Sequence, residues 1–506
     1  MKKNPVLQYN PYYLKMFRKT NKWTAFLALS IFFSVIQSLP LQCQEVLTRI
    51  QTKLAALEND PVLQDGRVGF CLSSAKTGEV LIELNSQKGM TPASNMKLST
   101  TAAALKYLGA DYKFETRLEY DGSIKDGVLH GNLYITGSGD PTLGSHRFSD
   151  ADWEKIASSW IEVLKSNKIK KINGNIIGDG TSFDNNPLPD GWVWSDIGNY
   201  YGAGTFGLNV FDNTYTITFK PGKVGSKAEI LRIEPTLPIE FINEVTTAPA
   251  GTGDNAYIYG SPYTNIRQIS GTIPAGKKEF TIKGSIPDPP GYCARSFGGF
   301  LKDAGIEFTG KADNILFVKE KKERRTKLTS YLSPPLKDIV YQTNMYSINL
   351  YAEALLKSIG NKVHQEGSVS AGLQAVNEYW GMNKVVGCIK SADGSGLAVT
   401  NIASPAFLAN AMASISSETY FPDLLESLPV AGVSGTLWNV CKGTPSEKKL
   451  RAKSGTLKGV ICYTGYVPDK SGNMMAFSFM VNNYSGITYT VMRKKMEEIM
   501  GLLAEL

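Results

Sequence analysis

The sequence predicts an α/β (α+β) protein in which one mixed domain is interrupted by a large β-rich insert. Three observations predict it. Strands and a helix open the region after residue 43, short strands and turns fill residues 114–325, and helices followed by a strand, strand, helix ending close the chain. At 506 residues the chain exceeds what one compact core organises, so several cores are expected.

The first 43 residues stand apart. Lys2, Lys3, Lys15, Arg18, Lys19 and Lys22 occur there with no acid, followed by the apolar run "AFLALSIFFSVI". That run is too short for a bilayer span, which takes about 20 residues, and has the length of a signal-peptide core. We read residues 1–43 as an export signal cleaved after Cys43, which places the protein in the periplasm or cell envelope. Cys43 also fits a lipidated cysteine, against which Gln42 argues. Setting these six bases aside, the formal charge of +8 falls to about +2, so no basic footprint for nucleic acid remains. An apolar fraction of 42% excludes a disordered chain. The later cysteines, Cys71, Cys293, Cys388, Cys441 and Cys462, are widely spaced, which indicates neither a disulfide framework nor a metal site.

The elements follow in order. "VGFCLSSAKTGEVLIELNS" reads as two strands around a Lys-Thr-Gly-Glu turn, and "TPASNMKLSTTAAALKYLG" as a helix ending at Gly109. "GNLYITGSGDPTL", "INGNIIGDGTSF", "NTYTITFKPG" and "KEFTIKGSIPD" are strand-like runs cut by Gly, Pro, Asn and Asp, the texture of a β-rich insert in two small subdomains. "VKEKKERRTKL" reads as a solvated connector. Helices return in "LKDIVYQTNMYSINLYAEALLKSIG" and "ASPAFLANAMASI". "VICYTGYVPD" and "NMMAFSFMVNN" are then strands before a closing helix. The expected division is 44–113 with 326–506 as one discontinuous domain and 114–325 as the insert.

Only three histidines occur, His130, His146 and His364, none in a nucleophile or metal motif, so Ser-His-Asp chemistry has no local support. Lysine is the alternative base. Ser-x-x-Lys occurs at Ser94–Lys97, but also at Ser73–Lys76 and Ser446–Lys449; Ser-x-Asn occurs at Ser347–Asn349 and Ser471–Asn473; Lys-[Ser/Thr]-Gly occurs at Lys76–Gly78 and Lys453–Gly455. Only Ser94, Ser347 and Lys453 combine the order with the setting of helix, loop and strand that penicillin-recognising serine enzymes use. In isolation Ser94 would read as a helix cap.

With "PASNMK", "GSGDPTL", "DGWVWSD", "YSIN", "ADGSGL", "LPVAGVSGTL", "AKSGTLKGV" and "TGYVPDKSGNMMAFSFMVN", the chain resembles the class C low-molecular-mass penicillin-binding proteins. These are D-alanyl-D-alanine carboxypeptidases and endopeptidases of the penicillin-binding protein 4 type. The resemblance implies a β-lactamase/transpeptidase-like catalytic domain and a serine carboxypeptidase that cleaves peptidoglycan stem peptides through an acyl-enzyme. It implies β-lactams as inhibitors, no cofactor or metal, and peripheral association with membrane or cell wall as an open point. Ser94 would be the nucleophile and Lys97, on the same helix face, its base. Burial beside Lys453 would depress the Lys97 pKa. Ser347 would relay the proton to the leaving amine, and Asn349 would bond substrate amide and Lys97. The N–H groups of Ser94 and Thr456 would form the oxyanion hole. Lys453, Ser454 and Thr456 would hold the substrate carboxylate. The family's Gly-Trp-x-Trp-x-Asp pattern matches Gly191 to Asp196, making Asp196 a lysine-positioning candidate.

Two features depart from the family pattern: Lys-Ser-Gly stands for the commoner Lys-Thr-Gly, and "GLAVTN" lacks the Ser-Arg that often follows "DGSGL". Asp393 and Asp140 read as turn residues, and Trp192 and Trp194 as packing residues. A β-lactamase or esterase on the same scaffold, and a catalytically degenerate cell-wall-binding protein, are the competing functions.

Overall fold

The computed structural model describes residues 41–319 and 324–506. Most of the expected export segment, residues 1–40, lies outside them; its last three residues open the helix Leu41–Glu58.

A five-stranded antiparallel sheet organises the first and last parts of the chain, in the order Val80–Leu84, Arg67–Ser74, Met474–Asn482, Val460–Pro468, Arg451–Leu457. Its two central C-terminal strands are apolar on both faces because both are covered. Along them, side chains alternate between two cores, as a period of two requires. Cys462, Tyr466, Ala476 and Met480 face the core built by the helices Met96–Leu108, Leu336–Tyr346, Asn349–His364, Val369–Met382 and Pro405–Ile415. Ile461, Tyr463, Phe477, Phe479 and Val481 face the core closed by the helices Leu41–Glu58 and Tyr489–Met500. The Lys76-Thr77-Gly78 triplet occupies the turn between the first two strands, Gly78 at φ 72°, as its glycine-containing sequence predicts.

The insert has two cores. One surrounds a mixed sheet ordered Ala312–Asn314, Ile176–Asp179, Leu133–Gly137, Glu115–Tyr120, Thr326–Leu332. The other lies among Thr214–Lys220, Glu229–Glu234 and Phe280–Ser285 and the strands Glu240–Ala248, Ile266–Pro274 and Asn255–Tyr259.

Two features of the insert correct the sequence reading. The strand Thr326–Leu332 pairs with Glu115–Tyr120, so a segment assigned to the flanking domain completes the insert's sheet. The insert also carries two full helices that its turn-rich texture concealed. In Trp153–Ser166, residues Trp153, Ile156, Ala157, Trp160, Ile161 and Leu164 bury one face, and the Asp152 carboxylate caps the start by accepting from the Glu154 and Lys155 amides at 3.0 and 3.2 Å. Pro289–Asp303 begins with proline after a capping Asp288 and buries Cys293, Ala294, Phe297 and Leu301 against it.

Residues 182–213 of the insert dock on the Asn349–His364 helix. The buried Lys357 donates to Asp184 Oδ1 and the Asn186 carbonyl, both at 2.7 Å, and Tyr351 Oη donates to Asp212 Oδ1 at 2.8 Å. These part-buried bonds tie the insert to that helix, and Leu188, Ile197 and Tyr201 of the insert pack in one apolar cluster with Leu457 of the edge strand.

Candidate active site

Ser94 sits in a 3-10 turn, Ala93–Asn95, just before the helix Met96–Leu108. Its hydroxyl does not cap the helix: Asn95 is the N-cap residue, without a side-chain cap bond, and Ser94 Oγ stands 3.0 Å from Lys97 Nζ. Ala93 is held at φ 47°, a left-handed conformation uncommon for a side-chain-bearing residue and sustained here by its surroundings.

Lys97 is fully buried, and its amino group meets three partners: Ser94 Oγ, Asn349 Oδ1 at 2.6 Å and the Ser395 carbonyl at 2.7 Å. Asn349 Nδ2 donates to the Tyr201 carbonyl at 2.8 Å, which turns Oδ1 toward the lysine. Asn349 Oδ1 and Ser395 O can only accept. A neutral amine therefore spends its two N–H bonds on them and leaves its lone pair for the Ser94 proton. Burial pushes the Lys97 pKa down to about 7, against the opposing pull of Asp393 and then Glu353. Like charge, expected to help depress Lys97, acts on the other lysine instead. Lys453 lies well below its ordinary value through burial first and the charge of Lys97 second.

Ser347 ends the helix Leu336–Tyr346 in a left-handed conformation, φ 60°, and the next helix begins at Asn349. The Ser-x-Asn motif is thus the corner between two helices, and Asn349 does not cap the second. Its Oδ1 accepts from Lys97 and one N–H of Nδ2 goes to the Tyr201 carbonyl, while the amide nitrogen carries a second N–H and the residue lines the cleft. Lys453 Nζ donates to Ser347 Oγ at 2.9 Å and to the Ser454 carbonyl at 2.7 Å. Two serine–lysine couples, Ser94 with Lys97 and Ser347 with Lys453, therefore border one cleft of ≈ 500 Å³ lined by Ser94, Ser347, Asn349, Asp196, Tyr201 and Thr456 among others.

The strand parity places Thr456. Arg451–Leu457 is an edge strand in continuous register with Val460–Pro468, and the Ala452 amide donates outward to the Pro429 carbonyl at 3.0 Å. With a period of two, the Ser454 and Thr456 amides also point outward, away from the sheet and toward the cleft. Ser454 Oγ donates to Thr436 Oγ1 at 2.7 Å. Thr436 belongs to the "SGTL" tetrapeptide at Ser434, which lacks the preceding lysine and following strand of the copy at Ser454 and so reads as a decoy in the sequence.

Asp196 lines the cleft, and burial raises its pKa, but its hydrogen bond comes from Tyr201 Oη at 3.3 Å. Lys97 has all its bonding positions filled by other groups, so direct positioning by Asp196 is not what the geometry shows. Trp192 is buried and donates from Nε1 to Asp393 Oδ2 at 2.9 Å, whereas Trp194, expected to pack, is 56% exposed. Asp393 is the turn residue its sequence suggests, although a fully buried one.

A family model for the D-Ala-D-Ala carboxypeptidase 3 (S13) family matches residues 50–506. The chain belongs to that family. Among its relatives, the D-alanyl-D-alanine carboxypeptidase of Actinomadura sp. (strain R39) is 30% identical over 87% of this chain and 82% of its own length. The D-alanyl-D-alanine carboxypeptidase DacB of Haemophilus influenzae is 27% identical over 83% of this chain and 86% of its own. The crystal structure of penicillin binding protein 4 (dacB) from Haemophilus influenzae superposes with a TM-score of 0.75 at 26% identity, covering 90% of this chain and 97% of that one. The S13 assignment agrees with the resemblance read from the motifs, and the mixed α/β architecture with its insert is shared over nearly the whole length.

Proposed function

We infer that the protein is a serine-type D-alanyl-D-alanine carboxypeptidase working on peptidoglycan stem peptides through an acyl-enzyme on Ser94. The observation that carries this reading is the hydrogen-bonding of Lys97, whose two obligatory acceptors leave its lone pair for the Ser94 hydroxyl. Neutral Lys97 takes that proton as Ser94 Oγ attacks the carbonyl of the penultimate residue. The oxyanion forms against the Ser94 and Thr456 amides, each such donor being worth about 3 kcal/mol in comparable sites. Because Lys453 donates to Ser347 Oγ, the Ser347 proton is free to point into the cleft and pass to the departing amine, with Lys453 replacing it. D-alanine leaves; the proton taken up by Lys97 passes on to Lys453, which gave its own to Ser347, so both lysines regain their starting states and water hydrolyses the ester with neutral Lys97 again as base.

A substrate carboxylate beside Lys453, Ser454 and Thr456 would restore the positive charge that burial discourages on Lys453, favouring a free C-terminus. Asp196 and Tyr201 border the same cleft on the insert side, where the rest of the peptide lies. The Haemophilus influenzae protein has also been crystallised with a β-lactam, and the same attack on a lactam carbonyl would leave a penicilloyl ester on Ser94. Since the substrate class lies outside the cytoplasm, export by residues 1–43 belongs to this reading.

The test is release of D-alanine from a peptide ending in D-Ala-D-Ala, with Ser94→Ala as control. Release abolished by the substitution supports the assignment. A folded protein that releases none but turns penicillin over points to a β-lactamase, and one that does neither to a binding protein.

A further inference from the structure

Beneath the two serine–lysine couples lies a second system, built on two buried carboxylates. The loop "ADGSGLA" passes under the Ser94 turn so closely that a Cβ on Gly396 (φ 82°) would stand 1.9 Å from the Ala93 carbonyl oxygen. Two carboxylates, each fully or almost fully buried, lace this loop. Glu353, one helical turn beyond Asn349, accepts from the Gly394 amide at 3.1 Å and the Ser395 amide at 2.8 Å. Asp393 accepts from the Gly396 amide through Oδ1 at 2.7 Å and the Ala398 amide through Oδ2 at 2.6 Å. It also takes Asn401 Nδ2 at 2.8 Å and Trp192 Nε1 at 2.9 Å.

One peptide group of the loop links the acid to the base. The Ser395–Gly396 peptide gives its N–H to Asp393 and receives Lys97 Nζ on its carbonyl, both at 2.7 Å. A peptide bonded to an anion at its N–H end is polarised, and its carbonyl becomes a stronger acceptor. We propose that Asp393 is a positioning residue of the catalytic system: through the Ser395–Gly396 peptide it orients Lys97 toward Ser94 and sets how readily Lys97 holds a proton. The arrangement has the connectivity of nucleophile, base and acid, with a peptide group interposed between the last two. It rests on the reading of Ser94 and Lys97 given above.

The charged groups around this system are few and come from every packed element. Lys97 lies on the Ser94 helix, Lys453 on the edge strand, and Glu353 and Lys357 on the Asn349 helix, with Asp184 of the insert paired to Lys357 at 2.7 Å. Burial and the neighbouring Asp393 push Glu353 up to about 7. Trp192 ties the insert to the same carboxylate, which makes insert docking part of the setting of Lys97.

The experiment is the rate of acylation by a fluorescent penicillin as a function of pH, on the full chain and two variants. Asp393→Asn removes the anion and should move the acid limb to lower pH. A shift of half a unit makes acylation on the limb, relative to the plateau, roughly threefold faster than wild type. Trp192→Phe keeps the ring but removes one donor from Asp393, so the anion acts more strongly and the limb should move to higher pH. Opposite shifts establish the role. Limbs unmoved in both variants, with rates lowered equally at all pH values, or shifts in one common direction, overturn it. Should Asp393→Asn fail to fold, Trp192→Phe decides alone: an upward shift supports the relay and an unmoved limb refutes it. A wild-type protein that is never acylated would overturn the assignment of Ser94 and Lys97, and the relay with it.

Discussion

Gly455 lies against the turn that carries Ser94: a Cβ added there would stand 3.1 Å from the Ser94 amide nitrogen and 2.6 Å from the Pro92 carbonyl oxygen. The third residue of the Lys-Ser-Gly triplet is therefore glycine because the edge strand and the nucleophile turn meet backbone to backbone. That approach brings the Ser94 and Thr456 amides to one cleft. Gly455→Ala is expected to push them apart and to slow penicillin acylation on the order of a hundredfold, the effect of a misplacement near 1 Å. Stopped-flow acylation on the folded variant checks this.

The pKa of Lys97 sets the acid limb of the reaction. With the base at about 7, kcat/KM for the D-Ala-D-Ala peptide should rise with pH through that region, because only the neutral amine can take the Ser94 proton. A profile flat from mildly acid to mildly alkaline pH would contradict the assignment of Lys97 as base.

The same depression has a stability consequence. Lys97 titrates near 7 when folded and near 10.4 when unfolded, so between those values the unfolded chain binds more protons and stability rises with pH. Lys453, also depressed, adds slope of the same sign. Urea denaturation across this window should show the rise, and Lys97→Met should reduce its slope.

Asn349 holds Lys97 on one side and the insert, through the Tyr201 carbonyl, on the other. Asn349→Ala removes the acceptor that directs one N–H of the amine. Acylation should fall by about tenfold to a hundredfold, with a smaller loss of stability of about 1 to 3 kcal/mol from the carbonyl left unpaired. Parallel measurement of acylation rate and urea midpoint separates the two effects.

In the insert, Trp160 is buried between Trp153 and Phe297, at ring-centroid distances of 5.9 and 5.7 Å. Trp160→Ala should destabilise this core by about 3 to 5 kcal/mol. Calorimetry should then show a lowered transition for the insert.

Particular residues show what the sequence made legible. Ser94, Lys97, Ser347 and Lys453 are legible because the chemistry needs specific side chains at fixed spacing; the two serines line one cleft, and each is hydrogen-bonded to a buried lysine behind it. Asn349 was found by the same motif, yet its tie to Tyr201 depends on docking of an insert whose contacts no local pattern encodes. Thr436 sits in a copy of the Ser454 tetrapeptide with no lysine before it and no strand after it, so it reads as a decoy, and only tertiary packing brings the two hydroxyls together. Asp393 read as a turn residue and is one; that its carboxylate is buried beneath Lys97 follows from the fold alone. The Trp153–Ser166 helix is hidden by the glycines and strand-like runs around it, although its apolar residues recur at helical spacing behind an aspartate cap.

The most direct test of the account is mass spectrometry of the protein after incubation with penicillin, with the adduct located by peptide mapping and Ser94→Ala and Lys97→Ala run alongside. The account predicts one penicilloyl group on Ser94, absent from Ser94→Ala and formed far more slowly in a folded Lys97→Ala. An adduct on another residue, or one formed at the wild-type rate without Lys97, would contradict it.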